Sequence, residues 1–180
     1  FGATIWTDGK CDAPMLPDSP DLVKCPHCSA LVWVDELENV GEIEFENDKE
    51  NEFKDAQAYV TPAARDFKKA LASGILAGEK EKYLRLHVWW AGNNKRRKTS
   101  KAIPLSDDEK ANLDAFALLL DEAEENDRLM KAEIFRELGE FEEAMSLLSN
   151  PFSEEVAPAA NIIKALTEEK NPLLKKMEFR

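Results

Sequence analysis

Ala132-Glu133-Ile134-Phe135-Arg136-Glu137-Leu138-Gly139-Glu140-Phe141-Glu142-Glu143-Ala144 is the stretch that decides how the larger part of this chain folds. Its spacing predicts a helix ending at Leu138, a turn at Gly139, and a second helix beginning at Glu140. Glycine permits the left-handed backbone that such a turn needs, Phe141 plugs the elbow, and the small Ala132 and Ala144 let two helices approach closely.

Helical texture extends outward from this hairpin. Further helices are predicted over Asp127 to Leu138, Glu140 to Ser149 and Ser153 to Thr167, with a short one near Pro172 to Met177. Upstream, Ser106-Asp107-Asp108-Glu109 is a capping-box pattern, and Leu113, Phe116, Ala117 and Leu120 then fall on one face. Thr61-Pro62 reads as a helix start, with Ala64, Phe67, Leu71 and Ile75 at helical spacing. A helix from Glu79 to about Ala91 places Tyr83, Leu86 and Trp90 on one stripe, and GNNKRRKTSKAIP after it reads as a loop. Short connections make consecutive helices antiparallel neighbours.

The 132–144 stretch resembles the centre of a tetratricopeptide repeat: Ala132, Gly139, Phe141 and Ala144 stand where that motif has a small residue, a turn glycine, an aromatic and an alanine, and Leu148 where it has a large apolar residue. The resemblance covers 127–149, one unit. It implies a concave surface for a protein or peptide. The same hairpin also serves simply to build a helical core.

The first forty residues have a different texture, of turns and short strands. ATIWTDGKCDAP contains the Asp8-Gly9 turn signal, and Pro14, Pro17 and Pro20 enforce an extended connection. LVK and ALVWV then flank Cys25-Pro26-His27-Cys28 as strands. CPHC is an active-site tetrapeptide of some thioredoxin-like oxidases, but their thiolate sits at a helix N-terminus, whereas a strand follows here and the surroundings are acidic. KCPHCSA followed by an apolar strand also resembles half of a zinc ribbon. A second CxxC is missing, so Cys11 is the candidate third ligand beside Cys25 and Cys28, and His27 a candidate fourth. A metal-free hairpin packed by Trp6, Leu31 and Trp33 is the alternative, and both remain open. Residues 38–57 are dominated by acid and read as a solvated linker, with one short strand at Glu42 to Phe45.

Charge is unevenly spread over the 180 residues, whose formal net charge is -12. Residues 61–101 hold 11 Lys/Arg against 3 Asp/Glu, between two acidic flanks. Lys95, Arg96, Arg97 and Lys98 beside Trp89 and Trp90 form a candidate nucleic-acid contact. The overall negative field disfavours that partner, and intramolecular pairing with the acidic flanks is the alternative.

There is no phosphate-binding glycine loop, GxSxG, HExxH or dinucleotide fingerprint, and 2 histidines leave little material for acid–base catalysis. No apolar run approaches the roughly 20 residues of a membrane helix. The opening FGATIWTDGK has no export signal, and its start on Phe1 rather than Met leads us to expect preceding residues in the native chain. Three cysteines, an odd count, suit free thiols in the cytoplasm.

The sequence thus predicts a mainly α protein with a small β module. Residues 1–40 form a zinc-ribbon-like β module, 41–60 an acidic linker, and 61–180 an antiparallel helical, tetratricopeptide-like domain. The combination resembles bacterial proteins that join a CPxC knuckle to helical repeats. The expected role is that of a non-enzymatic interaction or adaptor module for a protein or peptide, with structural zinc as a candidate cofactor. Nucleic-acid binding and thiol–disulfide chemistry are the alternatives.

Overall fold

The computed structural model describes residues 2–16, 19–42, 53–74, 77–99 and 101–179. It is mainly helical, with two small antiparallel sheets of two strands each among the described residues. The chain divides into two compact units, Phe1–Leu16 with Phe67–Arg180 and, between them in sequence, Pro17–Asp66.

In the first unit, strands β1 (Thr4–Ile5) and β2 (Cys11–Asp12) pair antiparallel around the Asp8-Gly9 turn, with Gly9 at φ 77°. Helices follow at α1 (Ala64–Ala72, whose first residues belong to the second unit), α2 (Glu79–Arg97), α3 (Asp107–Ala117), α4 (Glu125–Leu138), α5 (Phe141–Leu148) and α6 (Ala157–Glu168). The start of α3 carries the expected reciprocal cap: Glu109 N–H donates to Ser106 Oγ and Ser106 N–H to Glu109 Oε2. Leu113, Phe116, Ala117 and Leu120 are buried together with Trp89 and Ile134. A second apolar cluster joins Ala132, Leu147, Leu148, Ala160, Ile163 and Met177.

Gly139 ends α4 in the left-handed conformation at φ 87°, and Ala132 and Ala144 are wholly buried, so α4 and α5 form the expected helical hairpin.

Several boundaries differ from the sequence expectation. Helix α1 starts at Ala64 rather than at Thr61-Pro62, because the Asp66 carboxylate accepts the Ala63 N–H at 2.9 Å and caps the helix there. Ile75 and the strand expected at Glu42 to Phe45 fall, wholly or in part, outside the described residues. In α2 the buried stripe is Leu84, Val88 and Trp89, not Tyr83, Leu86 and Trp90. Tyr83 and Trp90 instead flank His87 in a partly exposed ring stack with Phe67, at centroid distances of 4.1 to 5.0 Å.

Helix α2 also runs six residues past Ala91, through the segment expected to be a loop. Side-chain bonds from Asn93, Arg96 and Arg97 hold this end helical despite its weak local propensity. The residues near Pro172 to Met177 are extended rather than helical. Thr7 N–H donates to Lys175 O and Met177 N–H to Ile5 O, while Arg136 takes the Asn171 and Leu173 carbonyls.

In the second unit, β3 (Leu22–Lys24) and β4 (Leu31–Trp33) pair antiparallel, with Lys24 opposite Leu31. Val60 lies on the other edge of β3, exchanging two backbone bonds of 2.9 and 3.0 Å with Lys24. A single 3-10 turn follows at Val34–Glu36.

Candidate functional site

The β3–β4 turn carries the cysteine motif. Cys25 N–H donates to Ala30 O at 2.9 Å and Ser29 N–H to Cys25 O at 3.0 Å, with Ser29 at φ 61°. Hydrogen bonding from the Cys28 and His27 N–H groups, and from the Cys28 side chain, holds the Cys25 thiol below its usual range. All three cysteines are free thiols, with Cys11 and Cys28 exposed. Cys25 and Cys28 share the turn; Cys11 lies in β2 of the first unit. His27 is exposed. Among the described residues no three His, Cys, Asp or Glu side chains gather as a metal-ion site.

The basic run is largely committed within the first unit. Arg96 donates to the carbonyls of Ile103, Pro104 and Gly92 and is paired with both Glu109 oxygens at 3.0 and 3.1 Å. Lys95 adds a third cation–carboxylate contact at 3.0 Å. Burial on its own would raise the Glu109 carboxyl, but Arg96, the Ser106 N–H and Lys95 bring it down to about 2. A Cβ on Gly92 would stand 2.7 Å from Glu109 Oε1, so this pairing requires glycine there. Arg97 is buried against Asp8 and stacks over Trp6 at 5.6 Å. Of the four candidate nucleic-acid contacts, Lys98 and Lys95 are exposed.

Arg97 leads to a buried polar centre that was not legible in the sequence. Asp8, Glu133 and Glu137 supply three carboxylates; Arg97 and Arg136 supply two guanidiniums. Arg136, 0% exposed, donates to both oxygens of Glu133 at 2.5 and 2.7 Å, to Thr7 Oγ1, and to the Asn171 and Leu173 carbonyls. Asn93, also 0% exposed, donates to Asp8 at 3.0 Å and Glu137 at 3.1 Å. Trp89 Nε1–H donates to Glu137 at 3.0 Å, and Trp90 Nε1–H to the Asp8 carbonyl at 3.0 Å.

Three acids facing two permanent cations leave one surplus charge. Burial, then Glu133 and Asp8 nearby, push the Glu137 carboxyl up to about 8, so it is protonated at neutral pH and the centre is balanced. This centre joins β1–β2, α2, α4 and the C-terminal segment, and its many internal bonds give it a structural role.

The outer face of the α5–α6 pair is different. An open groove of about 710 Å³ has Phe141 and Met145 on one wall and Thr167 on the other, and Glu140, Glu142, Glu143 and Glu168 line it against Lys170 among the described residues. Phe141 and Met145 are four apart and share a helix face, half-buried. Burial, and then Glu143 and Asp114, raise the Glu140 carboxyl. The sequence showed EFEEA only as a helix start; that its acids line a groove beside Phe141 and Met145 depended on where α6 lies.

No protein-family model, curated protein or solved structure matches this chain. No helix among the described residues is long and apolar enough to cross a membrane.

Proposed function

We propose that the chain is a protein-interaction module whose α5–α6 groove holds a basic, amphipathic peptide segment. The groove itself carries this reading. Phe141 and Met145 offer apolar surface to one large side chain, while Glu140, Glu142, Glu143 and Glu168 meet flanking Lys or Arg residues. Resemblance of the α4–α5 hairpin to a tetratricopeptide repeat supports the same reading, since such hairpins present peptide-binding surfaces. Commitment of Arg96 and Arg97 to intramolecular bonds weighs against the basic run as a nucleic-acid contact.

Peptide-display selection on the whole protein tests the proposal. Selected sequences are expected to place Lys or Arg around a large apolar residue. Their binding should weaken with salt and fall at least roughly tenfold in Glu143→Lys and in Met145→Asp. Selected peptides without basic residues, or binding unchanged in both variants, would refute it.

A further inference from the structure

We propose that residues 171–177 are an exchangeable strap: the same segment of a second copy of this chain takes its place, joining two copies reciprocally. The segment is held as a bound extended peptide would be. Thr7 N–H donates to Lys175 O at 2.9 Å and Met177 N–H to Ile5 O at 2.8 Å, with Lys176 opposite Trp6. Lys175 N–H reaches Thr7 Oγ1 at 3.2 Å, and Arg136 donates to the Asn171 and Leu173 carbonyls. Met177 is the buried side chain of the strap, set against Ala132, Leu147, Leu148, Ala160 and Ile163. None of these contacts depends on which copy supplies the segment.

The link between α6 and the strap is a single residue. Before it, Glu169 caps α6, its N–H still donating to Ala165 O at 3.1 Å. After it, Pro172 favours extended backbone at Asn171, and Asn171 Oδ1 accepts the Leu173 N–H at 3.0 Å, so the strap is stiff from its first residue. Between them Lys170 turns the chain back at φ 51°, a left-handed conformation that suits glycine and strains lysine. Lys170 N–H to Thr167 O and Asn171 N–H to Leu166 O, both 2.9 Å, close this turn. Opening it gives these two bonds up to solvent at an exposed helix end and releases Lys170 into ordinary extended backbone.

The closed monomer and the exchanged dimer therefore share the strap contacts. They differ at this hinge and in the freedom lost on association. The left-handed lysine stands on the closed side alone, once per chain and so twice per dimer. Residue 170 thus sets the balance, and two substitutions move it in opposite directions. Glycine removes the strain of the closed turn, whereas proline, fixed at a φ of about −65°, forbids that turn.

The test is the mass of the full chain in solution, measured by light scattering after size-exclusion chromatography, with reductant present so that no disulfide joins copies. Each protein is concentrated, taken through mild urea to release the strap, and returned to buffer. The natural chain is expected to yield a dimer that dilution dissociates. Lys170→Gly should weaken that dimer by roughly tenfold or more in dissociation constant, and Lys170→Pro should be dimeric at every dilution. Met177→Asp, which spoils the strap and leaves the hinge, should abolish the dimer. Because Lys170→Gly keeps every strap contact, it decides the matter even if the proline or aspartate variant misfolds. Four results would overturn the proposal: no dimer from the natural chain, a Lys170→Gly dimer as tight as the natural one, a folded monomeric Lys170→Pro, or a dimer that survives Met177→Asp.

Discussion

The buried centre makes a quantitative prediction about Glu137. Its carboxyl titrates at about 8 in the folded chain against an ordinary value of 4.5. Below about 4.5 the proton is bound in both states and the site is fully stable. Between those values the folded chain holds a proton that the unfolded chain has lost, so stability falls as pH rises, by about 1.4 kcal/mol per unit. The total loss is on the order of 5 kcal/mol by about pH 8, with about 3 kcal/mol of it already present at pH 7. Against the ~5–15 kcal/mol that stabilises a typical domain, this is a large share.

Glu137→Gln removes the titration and keeps the shape. The amide oxygen still accepts from Trp89 and Asn93, which bond Glu137 Oε2 at 3.0 and 3.3 Å, and only the second limb of the Asn93 contact is lost. We expect the variant to match the natural chain, or fall about 1 kcal/mol short, near pH 5, and to exceed it by about 2–4 kcal/mol near pH 8. Urea unfolding followed by tryptophan fluorescence measures both, since Trp89 and Trp90 border the site. Superimposable pH profiles for the two proteins, or a variant that is weaker at pH 8, would show that three acids and two guanidiniums are not balanced by a proton on Glu137.

Glu109 gives the opposite limb of the same profile. Its folded value of about 2 lies below the ordinary 4.5, so its stabilisation is complete above about 4.5 and disappears as pH falls through 2. Glu109→Gln should flatten that acid limb by up to about 3 kcal/mol, readable by circular dichroism on acid titration. For Gly139→Ala, an added Cβ meets no atom within 4 Å, so the cost is that of a left-handed alanine at φ 87°. It is expected to be about 1–2 kcal/mol in urea unfolding, and a loss above twice that would mean that the turn carries more than backbone strain.

Local signals found their places in the fold. The Ser106 cap, the Leu113–Leu120 face and the turns at Asp8-Gly9 and Gly139 each depend on residues a few positions apart, and each is present. What escaped was set by partners distant in the chain. Asp8 reads as half of a turn, yet it is 1% exposed and bonded to Asn93 and Arg97. Glu133, Arg136 and Glu137 lie within the helix expected over Asp127 to Leu138, and their charge gave no sign of burial. One clue was available: Glu133 lies between Ala132 and Ile134, both on faces that had to be buried. Asn93 and Gly92 weakened the helix pattern locally because their roles, meeting Asp8 and making room for Glu109, belong to tertiary structure. The Cys25 turn was legible as a hairpin.

Arg136 and Thr7 have a consequence for the life of the chain on the ribosome. Lys175 N–H donates to a Thr7 hydroxyl 168 residues upstream, and Arg136 meets Asn171 and Leu173 from the same late segment. Until residues 171–177 have emerged, Arg136 lacks both carbonyl partners, and Ile5 and Thr7 lack the backbone partners that cover them. A chain interrupted before residue 171 would present an unsealed, charged interior to proteolysis. The first unit is thus sealed only when residues 171–177 reach Ile5, Thr7 and Arg136.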